Sequence, residues 1–388
     1  RRDATEQEQL YCTVLADLLS LDSVGPDEDF FALGGNSLLA TRLTAAIAAK
    51  TGREFSIRDI FDLRTPAALA AAERTADRPR PELVRRDVDE RSPMSAAQRR
   101  LWFLFQLEGP SATYNIPFTL HVHGALDVDA LQGALEATVQ RHEALRTVFT
   151  ATDDELDTDT AGADSVGVQQ VLADVSVPLV VRDIAADELD AALASESAYQ
   201  FDIASEIPIR VALLRTSADD AHLLVLVHHI AADEWSARPL LDDLATFYTA
   251  AVSDTGAQIS DLPVRYRDFT VWQSELLGDR ADEASVVAKQ AAHWSSVLAG
   301  QPEELEIPRD RPRPSVSSYR GGAVHFSLPP QLRSKLESIA TASGSSMFML
   351  THAAIAALLS RSGAGEDIVL GTPVAGRHVG RHHQALRR

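Results

Sequence analysis

Residues 223–236 read LLVLVHHIAADEWS: an apolar run that ends in two histidines, with an aspartate four residues after the second. An apolar strand that delivers a histidine to its end holds that base rigidly beside a pocket. Side chains alternate across a strand. If the strand persists to its end, His228 and His229 point to opposite faces, and only one of them can address a given pocket. His229 then shares the face of Val225 and Val227 and sits nearest the loop. Asp233 is placed to fold back for a charge-assisted contact. The pattern alone leaves two readings open, a structural pair of buried histidines or a catalytic pair. A metal centre here would need a third ligand brought by tertiary structure, and none is expected.

The chain must supply layers around this strand, and its 388 residues suffice for two or three domains. The formal charge is −20, from 36 basic and 56 acidic side chains. That balance argues against nucleic-acid or anionic-membrane partners, which need a basic surface. The single cysteine, Cys12, excludes an intrachain disulfide and a cysteine-based metal site, and its helical surroundings mark it as a core or flank residue. No apolar run is long enough to span a bilayer and no signal peptide is visible, so a cytoplasmic location is the default expectation. The start at Arg1-Arg2-Asp3 suggests a segment of a longer chain.

Residues 1–75 predict a small all-helical bundle. Leu10, Val14 and Leu18 recur at helical spacing, with Leu15 and Leu19 widening the stripe. Asp29-Phe30-Phe31-Ala32-Leu33-Gly34-Gly35-Asn36-Ser37-Leu38-Leu39 follows, with Ser37 opening a helix that carries Leu39, Leu43 and Ile47. Two short helices are expected near 57–61 and 66–75. Locally, Ser37 reads as a helix N-cap, or as a hydroxyl that the flanking glycines leave open to a modifying enzyme. The run FFALGGNSLLATRL resembles the attachment motif of acyl and peptidyl carrier domains of the thiolation type. The resemblance implies a four-helix carrier bundle with 4'-phosphopantetheine covalently bound to Ser37, installed by a phosphopantetheinyl transferase. Such an arm holds an acyl group as a thioester and raises its effective concentration at a neighbouring site. Carriers that feed an epimerisation domain tend to have Asp before the serine; Asn36 departs from that variant.

Residues 76–92, charged and with Pro79 and Pro81, predict an extended, semi-stiff linker. Beyond it helices and strands intermix, which argues for an α/β or α+β sandwich. Strands are expected over 118–124, 209–215 and 222–229, and helices over 127–141 and 189–199. The acidic stretch 150–164 predicts a solvated loop.

SAAQRRLWFL, QRHEALRTVF, HHIAADEWS and YRDFTVWQ occur in an order and spacing similar to condensation domains of nonribosomal peptide synthetases. The resemblance implies a chloramphenicol-acetyltransferase-like fold of two lobes with a tunnel between them, residues 93–265 forming the N-terminal lobe and 266–377 part of the C-terminal one. It makes His229, the second histidine of HHxxxDG, the catalytic one, with His228 and Asp233 in support. It also implies an arginine partner for Asp233, for which Arg146 of HEALRT is the candidate. Glu234 stands where the family has glycine, a candidate modulator of the acceptor side. The implied reaction joins a carrier-bound donor acyl or peptidyl thioester to the amine of an aminoacyl thioester on a downstream carrier. An adenylation domain is the implied upstream neighbour. Two alternatives belong to the same resemblance: a non-catalytic docking scaffold, and an epimerisation-type relative. Residues 378–388 do not resemble the family's continuation, and the second lobe is expected to be truncated.

Overall fold

The computed structural model of the chain describes residues 2–19, 21–35, 37–53, 55, 57–72, 81–87, 89, 91–151, 167–302, 304–312, 314, 321–322 and 324–372. Most of the expected acidic loop, the residue Asn36 and the atypical tail 378–388 lie outside the described residues. The chain divides into two compact units, one formed by residues 1–79 with 288–381 and the other by 80–287.

In the first unit, helices α1 (Glu6–Leu19), α2 (Ser37–Thr51), α3 (Ile57–Leu63) and α4 (Pro66–Ala71) enclose one apolar core. Tyr11, Val14 and Leu15 of α1, Leu43 and Ile47 of α2, Ile60 and Leu69 are buried around Phe30. The buried stripe of α1 is therefore turned from the expected one, and Leu10 is exposed. Cys12 is buried. The loop before α2 is set by Phe30. A Cβ on Gly35 would lie 2.5 Å from the Phe30 ring, so only glycine fits, and Gly34 has φ +101°. Asp29 accepts hydrogen bonds from the Phe31 and Ala32 N–H groups at 2.8 and 3.1 Å and from Arg64 Nε at 2.7 Å, which pins the same loop.

The second unit contains β1 (Arg91–Pro93), α5 (Ala96–Glu108), β2 (Asn115–His123), α6 (Val128–Arg141), β3 (Thr147–Thr150), β4 (Val168–Val171), β5 (Leu179–Asp183), α7 (Leu189–Ser197), β6 (Ile209–Ser217), β7 (Asp220–His228), α8 (Ala237–Val252) and α9 (Tyr266–Leu277). A three-stranded sheet has the order β1-β4-β3, and a four-stranded one the order β2-β7-β6-β5. Strand β7 is central, antiparallel to both neighbours; β5 and β6 pair in parallel. Leu223, Val225 and Val227 of β7 join Leu131, Leu135 and Val139 of α6 and Leu240 and Leu244 of α8 in the main core. The opposite face packs Leu226 with Trp102, Phe149, Phe201, Ile203 and Ile230. Both faces of β7 are thus covered, which is why its sequence is continuously apolar and not alternating.

The charged stretch before β1 is not a free linker throughout. Leu83 is 1% exposed. Trp272 Nε1 of α9 donates to the Pro81 carbonyl at 2.5 Å, and the Arg86 guanidinium makes a two-pronged ion pair with Glu275 at 2.5 and 2.7 Å. Residues 81–87 therefore belong to the second unit. So does α9, whose sequence YRDFTVWQ was expected to open the second lobe.

The remaining helices, α10 (Val286–Val297), α11 (Pro330–Ala342) and α12 (Met347–Arg361), carry exposed apolar groups. Trp294, Ile339, Phe348, Met349 and Leu358 are all exposed. The sequence over 348–360 predicts a buried helix; the helix forms, but none of its residues is buried. The strands expected at 321–328 and 367–371 are likewise absent among the described residues. A strand needs a neighbour to take up its backbone hydrogen bonds.

Docking of residues 81–87 yields a first expectation. Leu83→Ala should destabilise the second unit by about 2–5 kcal/mol, the usual range for a fully buried leucine. Denaturant unfolding followed by Trp272 fluorescence measures it. A loss under about 1 kcal/mol would show that this stretch is only a tether.

Candidate active site

The ladder between β2 and β7 ends at the pair Asn115–His228. One residue further on, the His229 N–H donates to the Tyr114 carbonyl at 2.8 Å. The His229 backbone is therefore still tied to the sheet although the strand has ended. The two histidines part company here. His228 is 5% exposed, with its ring about 6 Å from those of Tyr114 and Phe201, while His229 is exposed.

Their hydrogen bonds assign opposite roles to the ring nitrogens. His229 Nδ1 lies 2.8 Å from the Ala232 carbonyl oxygen. A carbonyl can only accept, so Nδ1 carries the proton, which leaves Nε2 as the nitrogen with the lone pair whenever the ring is neutral. His228 Nδ1 accepts from the Ile230 N–H at 3.1 Å. That contact needs a lone pair on Nδ1, which a protonated His228 would lack. Burial, with the neighbouring His229 adding to it, pushes the His228 pKa down to about 4.

Asp233 holds the turn between β7 and α8. Its Oδ1 accepts from the Ser236 N–H at 3.1 Å and the Ser236 hydroxyl at 2.7 Å, while Ser236 Oγ accepts from the Asp233 N–H at 3.1 Å. This reciprocal capping box closes the single turn Glu234–Ser236 that leads into α8. Glu234 is exposed on that turn.

The expected Asp233–Arg146 pair does not form. Arg146 is buried in the turn Glu143–Arg146, and its guanidinium goes to the carbonyls of Gln140 and Leu172, with Glu143 at 3.9 Å. Carbonyls close at hand take two of its donors, and Glu143 supplies a nearby charge, without the cost of drawing a distant carboxylate inward.

Charge pairing is concentrated elsewhere, between HEALRT and YRDF. Glu143 faces Arg267 at 3.0 Å and Arg265 at 3.8 Å. Asp268 is fully buried and accepts from Arg265 and from the backbone N–H groups of Arg265 and Arg86. Burial opposes its ionisation, but these bonds outweigh it and hold the carboxyl below the usual range. This cluster fastens α9 and residues 81–87 beside the turn after α6.

In the first unit, Ser37 is the first residue of the 15-residue helix α2. A hydroxyl at a helix start suits a phosphodiester, because the free N–H groups and the dipole favour an anion there.

Comparison with known proteins decides what this arrangement is. The condensation-domain family model matches residues 88–386, and a phosphopantetheine attachment-site model matches residues 11–72. The chain belongs to the condensation-domain family. It is 45% identical over 97% of its length to a probable non-canonical nonribosomal peptide synthetase, CymA, of Salinispora arenicola, and 42% identical over 97% to a dimodular nonribosomal peptide synthase of Bacillus subtilis. It spans only 5% and 16% of those relatives' lengths. Among solved structures, the X-domain in its complex with OxyB from teicoplanin biosynthesis is 32% identical, with a TM-score of 0.67 over 75% of this chain and 61% of that one. The fold is thus that of a helical carrier followed by an α+β condensation domain of the chloramphenicol-acetyltransferase type, and the cofactor of the carrier is covalent 4'-phosphopantetheine.

Within this condensation domain, sequence reasoning missed three contributors. Ser236 was visible as part of an Asp-x-x-Ser capping pattern. Nothing local marked Tyr114 or the Ala232 carbonyl, because both act through the backbone.

The depressed pKa of His228 has a consequence for stability. The folded state binds the proton later than the unfolded chain, whose histidine titrates near 6.5. The stabilisation is therefore complete above pH 6.5 and is lost as the pH falls towards 4. We expect this group alone to remove up to about 3 kcal/mol across that window, and His228→Phe to flatten the slope. An unchanged slope would place the titrating group elsewhere.

Proposed function

We propose that the chain is a donor carrier joined to an amide-forming condensation domain of a nonribosomal peptide synthetase. The carrier is residues 1–75 with Ser37 as attachment residue. Residues 76–92 connect it to the condensation domain of 93–377, with 81–87 docked on that domain and α9 belonging to its first lobe. Bound at Ser37, 4'-phosphopantetheine supplies a thiol that carries the donor acyl or peptidyl group. The acceptor is the amine of an aminoacyl thioester on a downstream carrier. An adenylation domain loads the donor, and a phosphopantetheinyl transferase modifies Ser37.

The observation that carries this reading is the exposed His229 ring, held through Nδ1 so that Nε2 is left for the substrate, at the end of a strand buried on both faces. As the amine nitrogen bonds to the thioester carbonyl carbon, Nε2 accepts the amine proton. The C–S bond then breaks, and the proton leaves His229 for the departing sulfur. The Nδ1–H to Ala232 bond strengthens when the ring becomes cationic, so the turn supports that charge. His228 stays neutral and packs the ring wall behind it. Asp233 acts through Ser236 as a positioning residue. Among the described residues no single helix is long and apolar enough to cross a membrane.

The likeness to an X-domain solved with OxyB, and the exposed apolar faces of α11 and α12, favour a second reading as a docking platform.

The test loads the carrier with an acyl group and supplies an aminoacyl thioester. Ser37→Ala should abolish phosphopantetheine labelling in the intact-mass spectrum. His229→Ala should slow amide formation about 10²–10⁴-fold with labelling intact. Product formation unaffected by His229→Ala would overturn the catalytic assignment. No product from labelled wild-type chain would favour the platform. Glu234→Gly should change the preference between small and bulky acceptors; unchanged preference and rate would leave Glu234 a solvent-facing side chain.

A further inference from the structure

At the opposite end of β7 from His229, the sheet gathers side chains that the proposed reaction does not use. The β2–β7 register sets His121 opposite His222 and His123 opposite Asp220. Residues two apart on a strand share a face. All four side chains therefore lie on one face, the reverse of that which sends Leu223, Val225 and Val227 into the core. His222 and His228 are six residues apart on β7, so the cluster is about 20 Å from the active-site end.

The cluster is tight. His121 Nε2 lies 2.7 Å and His123 Nδ1 3.2 Å from Asp220 Oδ1. The rings of His121 and His222 stack with centroids 4.3 Å apart, and those of His121 and His123 are 3.9 Å apart. One ligand atom from each of His121, Asp220 and His222 lies within 4.8 Å of the other two. A tetrahedral zinc site has ligand–ligand edges of about 3.3 Å. Side-chain rotation on a surface face closes that difference without moving the strands. Nδ1 of His222 is buried with no hydrogen-bond partner among the described residues, an orphan that coordination through it would satisfy. The outer oxygen of Asp220, Oδ2, is 2.5 Å from the Thr216 hydroxyl, a contact that orients the carboxylate as an outer-shell donor does in metal sites.

We propose that His121, Asp220 and His222 form a cross-strand site for a borderline divalent transition-metal ion of the Zn²⁺ type, with solvent or a rotated His123 completing it. Two imidazoles and one carboxylate match that class and not Mg²⁺ or Ca²⁺, which take oxygen ligands. Among the described residues, strand β2 is the edge of its sheet, joined only to β7. A metal bridging the two would pin that edge, a structural role remote from His229.

The test uses the full chain, freed of metal by a chelator and titrated with Zn²⁺ in a calorimeter. Expected are one equivalent bound with a micromolar or tighter Kd, a Co²⁺ complex with tetrahedral visible bands, and no heat with Mg²⁺. At a hundredfold excess over Kd the Tm should rise by about 5 °C or more. His222→Ala and Asp220→Asn should each weaken binding at least tenfold. His382→Ala/His383→Ala should leave it unchanged. On the wild-type chain, Zn²⁺ should shift the imidazole ¹⁵N signals of His121 and His222 and spare those of His228 and His229, a readout that needs no variant. The proposal is overturned by an absence of saturable binding. It also fails if the His382/His383 variant loses binding, or if the shifted signals belong to other histidines.

Discussion

Burial of β7 on both faces is the constraint from which the geometry of the candidate site descends. Leu223, Val225 and Val227 pack against α6 and α8 on one side, and Leu226 packs against Phe201 and Trp102 on the other. Each such side chain contributes about 1.5–3 kcal/mol by leaving water. The strand cannot slip by one residue without exchanging its two faces. Its last residue, His228, is therefore fixed inside, and the first residue beyond it is fixed at the rim. The tie from the His229 N–H to Tyr114 transmits the same rigidity one step past the ladder.

Chemistry at the rim then follows from a very short turn. Ala232 presents its carbonyl to one ring nitrogen of His229, and Ile230 presents its N–H to one ring nitrogen of His228. Two adjacent histidines of identical composition so acquire opposite protonation patterns. The Asp233–Ser236 box keeps the turn closed. It does so with neighbours three residues apart, which costs little conformational entropy.

Much of this was legible from the chain. The paired strands over 209–215 and 222–229, the helices α6 and α7 and the carrier bundle appear where periodicity places them. His229 separated from His228 by alternation, and the structure adds that His229 is exposed and stands just past the end of the strand. What was not legible depends on partners distant in sequence. Arg146 could be matched to Asp233 by charge alone, but Gln140, Leu172 and Glu143 are nearer. Residues 81–87 look like a linker by composition, yet Pro81 and Arg86 find partners on α9 and Leu83 is buried. The apolar pattern of α12 signals a face that wants cover, and a pattern cannot say whether cover is at hand. The His121–His222 juxtaposition is a matter of register, which no single strand reveals.

The claim on which the account rests is the opposite tautomers of the two histidines, and imidazole ¹⁵N spectroscopy of the full chain at neutral pH reads them directly. The account predicts a protonated Nδ1 and unprotonated Nε2 for His229, and the reverse for His228. Matching tautomers, or a protonated Nε2 on a neutral His229, would contradict it.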